Sequence, residues 1–572
     1  MRARKDLIPR SRILFVFIVT FAIVLVWIHR HGVDSDDAIS YLDIAGLYSK
    51  GDWRHAINSY WSPLYSLLIA LFFKVLRPAA DQEFQGLRAL SGAVFIAGWF
   101  CFHSLIRTML KVARNRSPGA CDSARERWVE LIGFAGYLWA GLFWLPPPLT
   151  TPDGLVGLFF YLSCRQALLL GSGLAPGKSF PGLGIWIGLG YLAKASFLPV
   201  GLILFLGSFL RHPSKLKEKL PWATAGLLVL GVICGSWILP NSLQKGRLIW
   251  GEAGRLNYEW HVSPCRGRMP AWRYWQGECR EAGVPLHSAK IFSLRPLIRD
   301  SSGVFPAVSD PAWFDPSYWY DGLQMTFGWK DQLSIATGNF RFYARKFLIA
   351  ISILALGLRW IQIRRKAAFD PCLMTSGDGT SPLWIAAATG LILHAFCIDL
   401  LASFEPMRYV APFVIVMLVL LAMRLSPPLR SPLGFKIAYL FAPPIVGLTL
   451  FGAFGNERKA GAPAIGAGPP LSEWIAQTSR EAGLLPGDAV LTFDNLLPES
   501  RYAARLTVTH TGWDADTFLH MIPWEQKLLH DDLRHAGVKG ILLDETEFHR
   551  GEMIQEFRWY PVRNSKFSVI RL

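Results

Sequence analysis

Hydrophobic residues in this chain fall in long blocks with few or no charges, separated by short basic segments. The first block runs from Ile13 to Ile28. Further blocks lie near residues 87–106, 130–146, 153–171, 182–193, 197–210, 221–239, 347–363, 383–403, 409–423 and 435–453. Blocks of this length and polarity are typical of transmembrane helices. The pattern predicts a polytopic α-helical membrane protein with roughly 11–13 transmembrane helices.

One apolar stretch, residues 63–73, is shorter than a bilayer crossing requires and is followed by Lys74 and Arg77. If this stretch crossed the membrane, the basic loop 111–127 would lie outside, although Lys and Arg prefer the cytoplasmic side. We therefore expect residues 63–76 to form a re-entrant or interfacial helix.

Basic residues precede the first block, which places the N-terminus in the cytoplasm. No small-residue cleavage site follows that block, so we expect an uncleaved anchor. Alternation of the later blocks then puts the loop 29–62, a large loop at 241–345 and the segment 470–572 on the outer side. The chain is thus predicted to be a multi-pass plasma (inner) membrane protein with its C-terminal part periplasmic or extracytoplasmic.

The segment 470–572 has the pattern of a soluble α/β domain. DAVLTFD and VKGILLD are short apolar runs typical of buried strands, and KFSVIRL alternates as a strand should. LSEWIAQTSREAG has helical spacing. Since no nucleotide-binding glycine fingerprint is present, we expect this domain to serve as a cover or an acceptor-recognition module and not as a catalytic domain. Residues 1–455 are expected to form the membrane domain.

Composition agrees with the block pattern, since 52% of the residues are hydrophobic and 18% are charged. The formal net charge is +17. The basic residues responsible lie in short loops between blocks, where they mark the cytoplasmic side and do not form an aromatic-interleaved groove. Nucleic acid is therefore not an expected partner.

Two of the eight cysteines, Cys265 and Cys279, lie in the large outer loop. An oxidising compartment would allow a disulfide between them, and two free thiols are the alternative. No Cys and His spacing in the chain resembles a zinc site.

The predicted topology brings seven polar side chains to the outer membrane boundary: Asp36, Asp37, Tyr41, Asp153, Lys194, Glu405 and Arg408. A charge at a bilayer is costly unless it faces a polar cavity, a counter-ion or a substrate. Each residue also has a structural explanation: a helix cap for the aspartates, lipid contact for Lys194 and a local ion pair between Glu405 and Arg408. The set as a whole indicates a catalytic edge.

Four motifs that carry these residues resemble those of GT-C fold lipid-linked glycosyltransferases, which include protein O-mannosyltransferases and the lipid A aminoarabinose transferase. The motifs are the acidic pair with its following helix and GDW, then TTPDGLVGLFFYL, GYLAKASFLPVG and EPMRYVAPF. The usual acidic pair of that family is Asp-Glu, whereas this chain has Asp36 and Asp37.

The resemblance implies a GT-C fold and inverting transfer of a sugar from a polyprenyl-phosphate donor to a lipid, glycan or protein acceptor. Lys194 and Arg408 would bind the donor phosphate. Asp36, with Asp37 as the less favoured candidate, would take the acceptor proton. Asp153 would orient the acceptor or, with Asp36, bind Mg²⁺ or Mn²⁺.

In the same scheme, Tyr41 and Glu405 would support the site or contact the acceptor. Three alternatives remain at this stage. A glycan polymerase or ligase would use the same type of donor, a lipid or sugar flippase would use the charges for transport, and a scaffold would not need them.

Overall fold

Helices dominate the computed structural model of this chain. The structure describes residues 7–29, 37–78, 82–116, 123–268, 279–284, 286, 291–292, 307–309, 316–344, 380–401, 406–425, 471–485, 488–492, 507–510, 527, 530–531, 533–535, 537–544, 558–562 and 567–572. The expected spans near 347–363 and 435–453 lie outside the described residues.

Ten described helices precede the large loop. They are α1 (Leu7–Ile28), α2 (Asp37–Ser49), α3 (Trp53–Ala56), α4 (Pro63–Leu76), α5 (Glu83–Arg116), α6 (Ser123–Phe143), α7 (Asp153–Gly171), α8 (Phe180–Ala193), α9 (Phe197–Arg211) and α10 (Leu216–Lys245). Later helices are α11 (Ala253–His261), α12 (Pro316–Trp319), α13 (Trp329–Tyr343), α14 (Ser381–Cys397), α15 (Ala411–Leu425) and α16 (Leu471–Glu481).

Helices α5, α7 and α10 are long and apolar enough to cross a membrane. Shorter apolar helical segments occur in α1, α4, α9, α14 and α15. The helical membrane fold expected from the hydrophobic blocks is therefore confirmed. At 14 residues, α4 is about 21 Å long, which is less than the hydrocarbon thickness of a bilayer.

Two helices extend beyond their hydrophobic blocks, which corrects the expected loop boundaries. Helix α5 continues to Arg116, so much of the expected basic loop 111–127 is helical. Helix α10 continues to Lys245, and the large loop begins only after it, at Gly246 with its positive φ of 64°. Lys, Arg and Gln are good helix formers, so a helix need not end where its apolar residues end.

Aromatic side chains in the core connect the elements that carry the candidate site. Phe160 of α7 packs edge-on against Phe413 of α15, with ring centroids 4.9 Å apart. Phe160 also contacts Phe197 at the start of α9, with centroids 6.4 Å apart. All three rings are buried. This contact sets the spacing between the start of α7, the turn after α8 and the start of α15.

The C-terminal part contains strands from two distant regions of the chain. The strands are β1 (Ile291–Phe292), β2 (Ala307–Ser309), β3 (Ala489–Thr492), β4 (Thr507–His510), β5 (Val538–Asp544), β6 (Arg558–Pro561) and β7 (Phe567–Arg571). Their order in the sheet is β1-β2-β4-β3-β5-β7-β6. Among the described strands, β3 pairs in parallel with β4 and with β5, and the other pairings are antiparallel. The large loop therefore contributes two strands to this sheet, which the sequence pattern did not indicate.

The large loop also contains a disulfide. Cys265 and Cys279 are bonded, with their Cα atoms 6.0 Å apart. Both are buried against Leu256, Tyr320 and Leu323. The bond lies in a small apolar core that belongs to the loop itself.

We expect Gly184→Ala to disrupt the packing of α8 on α10. A Cβ atom at Gly184 would meet the carbonyl oxygen of Gly226 at a distance that no van der Waals contact permits. Overpacking of this kind costs about 1–3 kcal/mol. Gly182→Ala is the matched control, because a Cβ there meets nothing within 4 Å. Thermal unfolding in detergent should show a lower midpoint for Gly184→Ala alone, and equal midpoints for the two variants would contradict this packing.

Candidate functional site

Four charged side chains lie at the ends of helices. Asp37 is the first residue of α2 and Asp153 is the first residue of α7. Lys194 directly follows α8 with an extended backbone, φ −159°. Arg408 lies in a 3-10 turn at Pro406–Tyr409, just before α15. A helix N-terminus favours an anion and a C-terminus favours a cation, so three of the four have the sign that the local helix dipole stabilises.

These four side chains form one cluster. Lys194 Nζ donates to Asp153 Oδ1 at 2.7 Å, and Thr151 Oγ1 donates to Asp153 Oδ2 at 2.9 Å. Arg408 lies between the two carboxylates, with Nε 3.8 Å from Asp153 Oδ2 and Nη2 3.6 Å from Asp37 Oδ2. The formal charges of the four sum to zero.

Exposure differs sharply within this charge cluster. The side chains of Asp153 and Arg408 are 5% and 10% exposed, whereas Lys194 is 27% and Asp37 is 40% exposed. Asp153 is thus a buried acid that is already paired. Asp37 is the acid that an incoming group can reach, and Lys194 is the more accessible cation.

Loss of hydration inside the protein raises the pKa of Asp37 although 40% of its side chain is exposed, and the nearby charges of Arg408 and Lys194 act against that rise. Burial also raises the pKa of Tyr41, one turn further along α2, and the negative charge of Asp37 adds to the rise. A carboxylate with a raised pKa is a better proton acceptor than a carboxylate with the ordinary pKa. Tyr41 stays a neutral phenol beside it.

The ring of Tyr409 lies beside both cations. Lys194 Nζ is 4.4 Å from the ring centroid and Arg408 Cζ is 4.9 Å from it. Arg408 Nη2 also donates to the Tyr409 hydroxyl at 2.9 Å. The Tyr409 ring also stacks on the ring of His394 of α14, at an interplanar angle of 15°. Cation–π contacts of this kind hold the ammonium and the guanidinium close together.

An apolar crevice begins next to the charge cluster. The space inside it that a water molecule can occupy is about 30 Å³, and it is bounded by residues of α4, α5, α6, α7 and α15 and of the segment between α6 and α7. Thr151 lies in its wall and also donates to Asp153. The charge cluster therefore adjoins a small, largely apolar crevice.

The structure brings Asp37, Tyr41, Asp153, Lys194 and Arg408 to one place. Asp36 and Glu405, and with them the expected Glu405–Arg408 pair, lie outside the described residues. Cys265 and Cys279 belong to the core of the large loop.

Two structural explanations given above, a helix cap for Asp153 and lipid contact for Lys194, can be compared with the described contacts. The Asp153 carboxylate accepts from Lys194 and Thr151 side chains, so its described partners are not those of a helix cap. Lys194 forms an ion pair with Asp153, with its side chain only partly exposed.

Sequence reasoning did not single out Thr151, Tyr409 or Tyr60. The first two lie inside the motifs TTPDG and EPMRYVAPF, next to residues that were chosen. Position in a motif was the available signal for them. Tyr60 has no such signal, because it lies outside those motifs and two of its partners, Asn257 and Trp260, lie in the large loop.

Asp153, the described member of the expected Asp36–Asp153 metal pair, does not fit a divalent cation. Asp153 has both carboxylate oxygens engaged, one by Lys194 and one by Thr151, and Arg408 is within 4 Å. Two fixed positive charges repel a metal ion from that carboxylate. The reaction steps proposed below therefore use no metal ion.

The fold is similar to crystal structures of ArnT from Cupriavidus metallidurans, in the apo state and bound to undecaprenyl phosphate. The TM-scores are 0.49 and 0.48, with 14% sequence identity and 97% of each chain covered in both cases. Neither a protein-family model nor a curated protein matches the chain. The functional assignment therefore rests on the side chains of the charge cluster.

We expect Asp153→Asn to rescue Lys194→Met. Loss of Lys194 leaves a buried carboxylate without its closest cation, and we expect a cost of about 2 kcal/mol, below the 3–5 kcal/mol of a fully buried pair. Removing the Asp153 charge as well should recover most of the lost unfolding midpoint.

Lys245→Met is the matched control, because Lys245 pairs with Asp321 at 2.8 Å away from the charge cluster. Asp153→Asn should not rescue that variant. Additive losses for Lys194→Met and Asp153→Asn would show that the two groups are not coupled.

Proposed function

We propose that this chain is a membrane glycosyltransferase that moves a sugar from a polyprenyl-phosphate donor to a hydroxyl of a lipid, glycan or protein acceptor at the outer face of the membrane. The observation that carries the proposal is the pairing of two cations, Lys194 and Arg408, with one open and one buried carboxylate. A phosphate needs the cations, and an attacking hydroxyl needs the open acid.

The two cations suit a phosphate diester of the donor. Lys194 offers a point charge that is partly exposed, and Arg408 offers a planar guanidinium. Charge-assisted bonds to phosphate oxygens would stabilise the monophosphate that leaves. Because the cluster is neutral before the donor binds, each cation exchanges part of its contact with a carboxylate for contact with phosphate.

The surroundings of the charge cluster suit a lipid donor. The crevice beside Thr151 has largely apolar walls, most of which belong to helices of the membrane domain. A polyprenyl chain would lie along such apolar surface while its phosphate reached Lys194 and Arg408.

Asp37 is the base in this scheme. Its carboxylate is the more open of the two, whereas Asp153 is held by Lys194 and Thr151. Asp37 takes the proton of the acceptor hydroxyl while that oxygen bonds to the anomeric carbon. The bond from this carbon to the phosphate oxygen breaks, and its electron pair leaves with polyprenyl phosphate. One displacement inverts the anomeric carbon.

The test is transfer of radiolabelled sugar by the purified protein in lipid nanodiscs. A panel of undecaprenyl-phosphate-linked sugars serves as donor, and a total membrane extract serves as acceptor. We expect transfer from at least one donor. Asp37→Asn should lower the rate about 100- to 10,000-fold, the usual contribution of a general base, without weakening undecaprenyl phosphate binding.

Asp36→Asn is the companion variant, since Asp36 is the other candidate base and the change removes a neighbouring charge of the same kind. Loss of transfer in Asp36→Asn with normal transfer in Asp37→Asn would assign the base to Asp36. Binding of undecaprenyl phosphate without transfer from any donor would favour a flippase.

A further inference from the structure

Helix α11 of the large loop is anchored beside the irregular segment that follows α3. Glu252, directly before α11, is buried and accepts from the Ser59 hydroxyl at 2.8 Å. Its backbone N–H donates to the Ser59 carbonyl at 2.7 Å. Arg247 and Arg255 each donate to the same carboxylate at 2.5 Å. These bonds hold α11 against residues 58–61.

The anchored helix meets Tyr60 with two side chains. Asn257 Nδ2 lies 3.4 Å from the Tyr60 hydroxyl. The ring of Trp260, one turn later on α11, has its centroid 5.6 Å from the Tyr60 ring. All three side chains are partly exposed. They form a recognition patch of one phenol, one amide and one indole.

Within the Tyr60–Asn257 pair, the hydrogen bonds leave one donor and one acceptor for a ligand; the buried indole N–H of Trp260 is a further donor without a described partner. Asn257 Nδ2 donates to the Ala253 carbonyl at 2.7 Å, which fixes the amide orientation because a carbonyl can only accept. Asn257 Oδ1 then accepts no hydrogen bond from any described residue. The Tyr60 proton likewise has no acceptor in the described part of the chain. A hydroxyl group both donates and accepts, so it matches this pair.

The patch is close to the charge cluster. Tyr41, one turn after Asp37, has its ring centroid 4.9 Å from that of Trp61, and Trp61 is 4.5 Å from Tyr60. Burial raises the pKa of Tyr60, and the negative charge of Asp37 adds to that rise. A group held by Tyr60 would therefore be two ring contacts away from Tyr41, which lies one turn after Asp37 on α2.

We propose that Tyr60 and Asn257 bind a ring hydroxyl of the sugar carried by the donor, with Trp260 as an apolar surface for a C–H face of that ring. This inference rests on the proposed function and deepens it. Aromatic residues with one polar end suit a ligand that has both a C–H face and hydroxyls. The large loop would then take part in choosing the sugar.

The experiment measures affinity of the full chain in nanodiscs for two probes. One probe is undecaprenyl phosphate, and the other is undecaprenyl phosphate linked to glucose, mannose or arabinose, whichever the parent protein binds most tightly. Tyr60→Phe and Asn257→Leu should each weaken binding of the sugar-linked lipid about tenfold, the effect of one lost hydrogen bond. Binding of the bare lipid should change by less than about twofold, which also shows that each variant is folded.

Tyr48→Phe is the matched control, because Tyr48 is on α2 but packs on Trp53, away from the patch. It should leave both affinities unchanged. Unchanged affinity of Tyr60→Phe and Asn257→Leu for the sugar-linked lipid would overturn the inference, even if acceptor use changed. Failure of the parent protein to bind either probe would instead overturn the proposed function.

Discussion

A buried carboxylate must be paired with a cation, and the fold of the membrane domain has to supply such a partner for Asp153. Its side chain is 5% exposed at the start of α7. An unpaired charge there would cost several kcal/mol. Lys194 after α8 and Arg408 before α15 meet the demand, and the contact of Phe160 with Phe197 and Phe413 keeps their elements at that spacing. Packing and electrostatics therefore specify the same geometry.

The same solution recurs in the large loop. Glu252 is buried, and two arginines and the Ser59 hydroxyl satisfy it. One buried acid thus organises the charge cluster, and the other attaches α11 beside it. Between them, Asp37 remains the acid with open surface. This division between rigid paired charges and one accessible acid would suit the proposed transfer reaction, since its groups would be held in place before the substrate arrives.

Hydrophobic blocks were sufficient to predict most helices, because their length follows from the thickness of the bilayer. Helix α7 begins at Asp153, where its block begins. The predicted topology placed Asp153, Lys194 and Arg408 at one membrane boundary, but it did not predict the contacts that these side chains make with one another. The extension of α10 to Lys245 did not, because helix propensity continues past the apolar residues.

Contacts between distant segments had no local signal. Ser59 and Glu252 are 193 residues apart, and Tyr60 and Asn257 are 197 apart. Two strands of the large loop also join a sheet whose other strands begin at Ala489. Single-sequence patterns report which face of an element is buried, but not which element covers it.

The most direct measurement is a cryo-EM map of the full chain in nanodiscs with undecaprenyl phosphate. The account predicts phosphate density in contact with both Lys194 Nζ and the Arg408 guanidinium. Phosphate density at any other place, with the Lys194–Asp153 and Arg408–Asp37 contacts unchanged, would contradict the assignment of this charge cluster as the donor site.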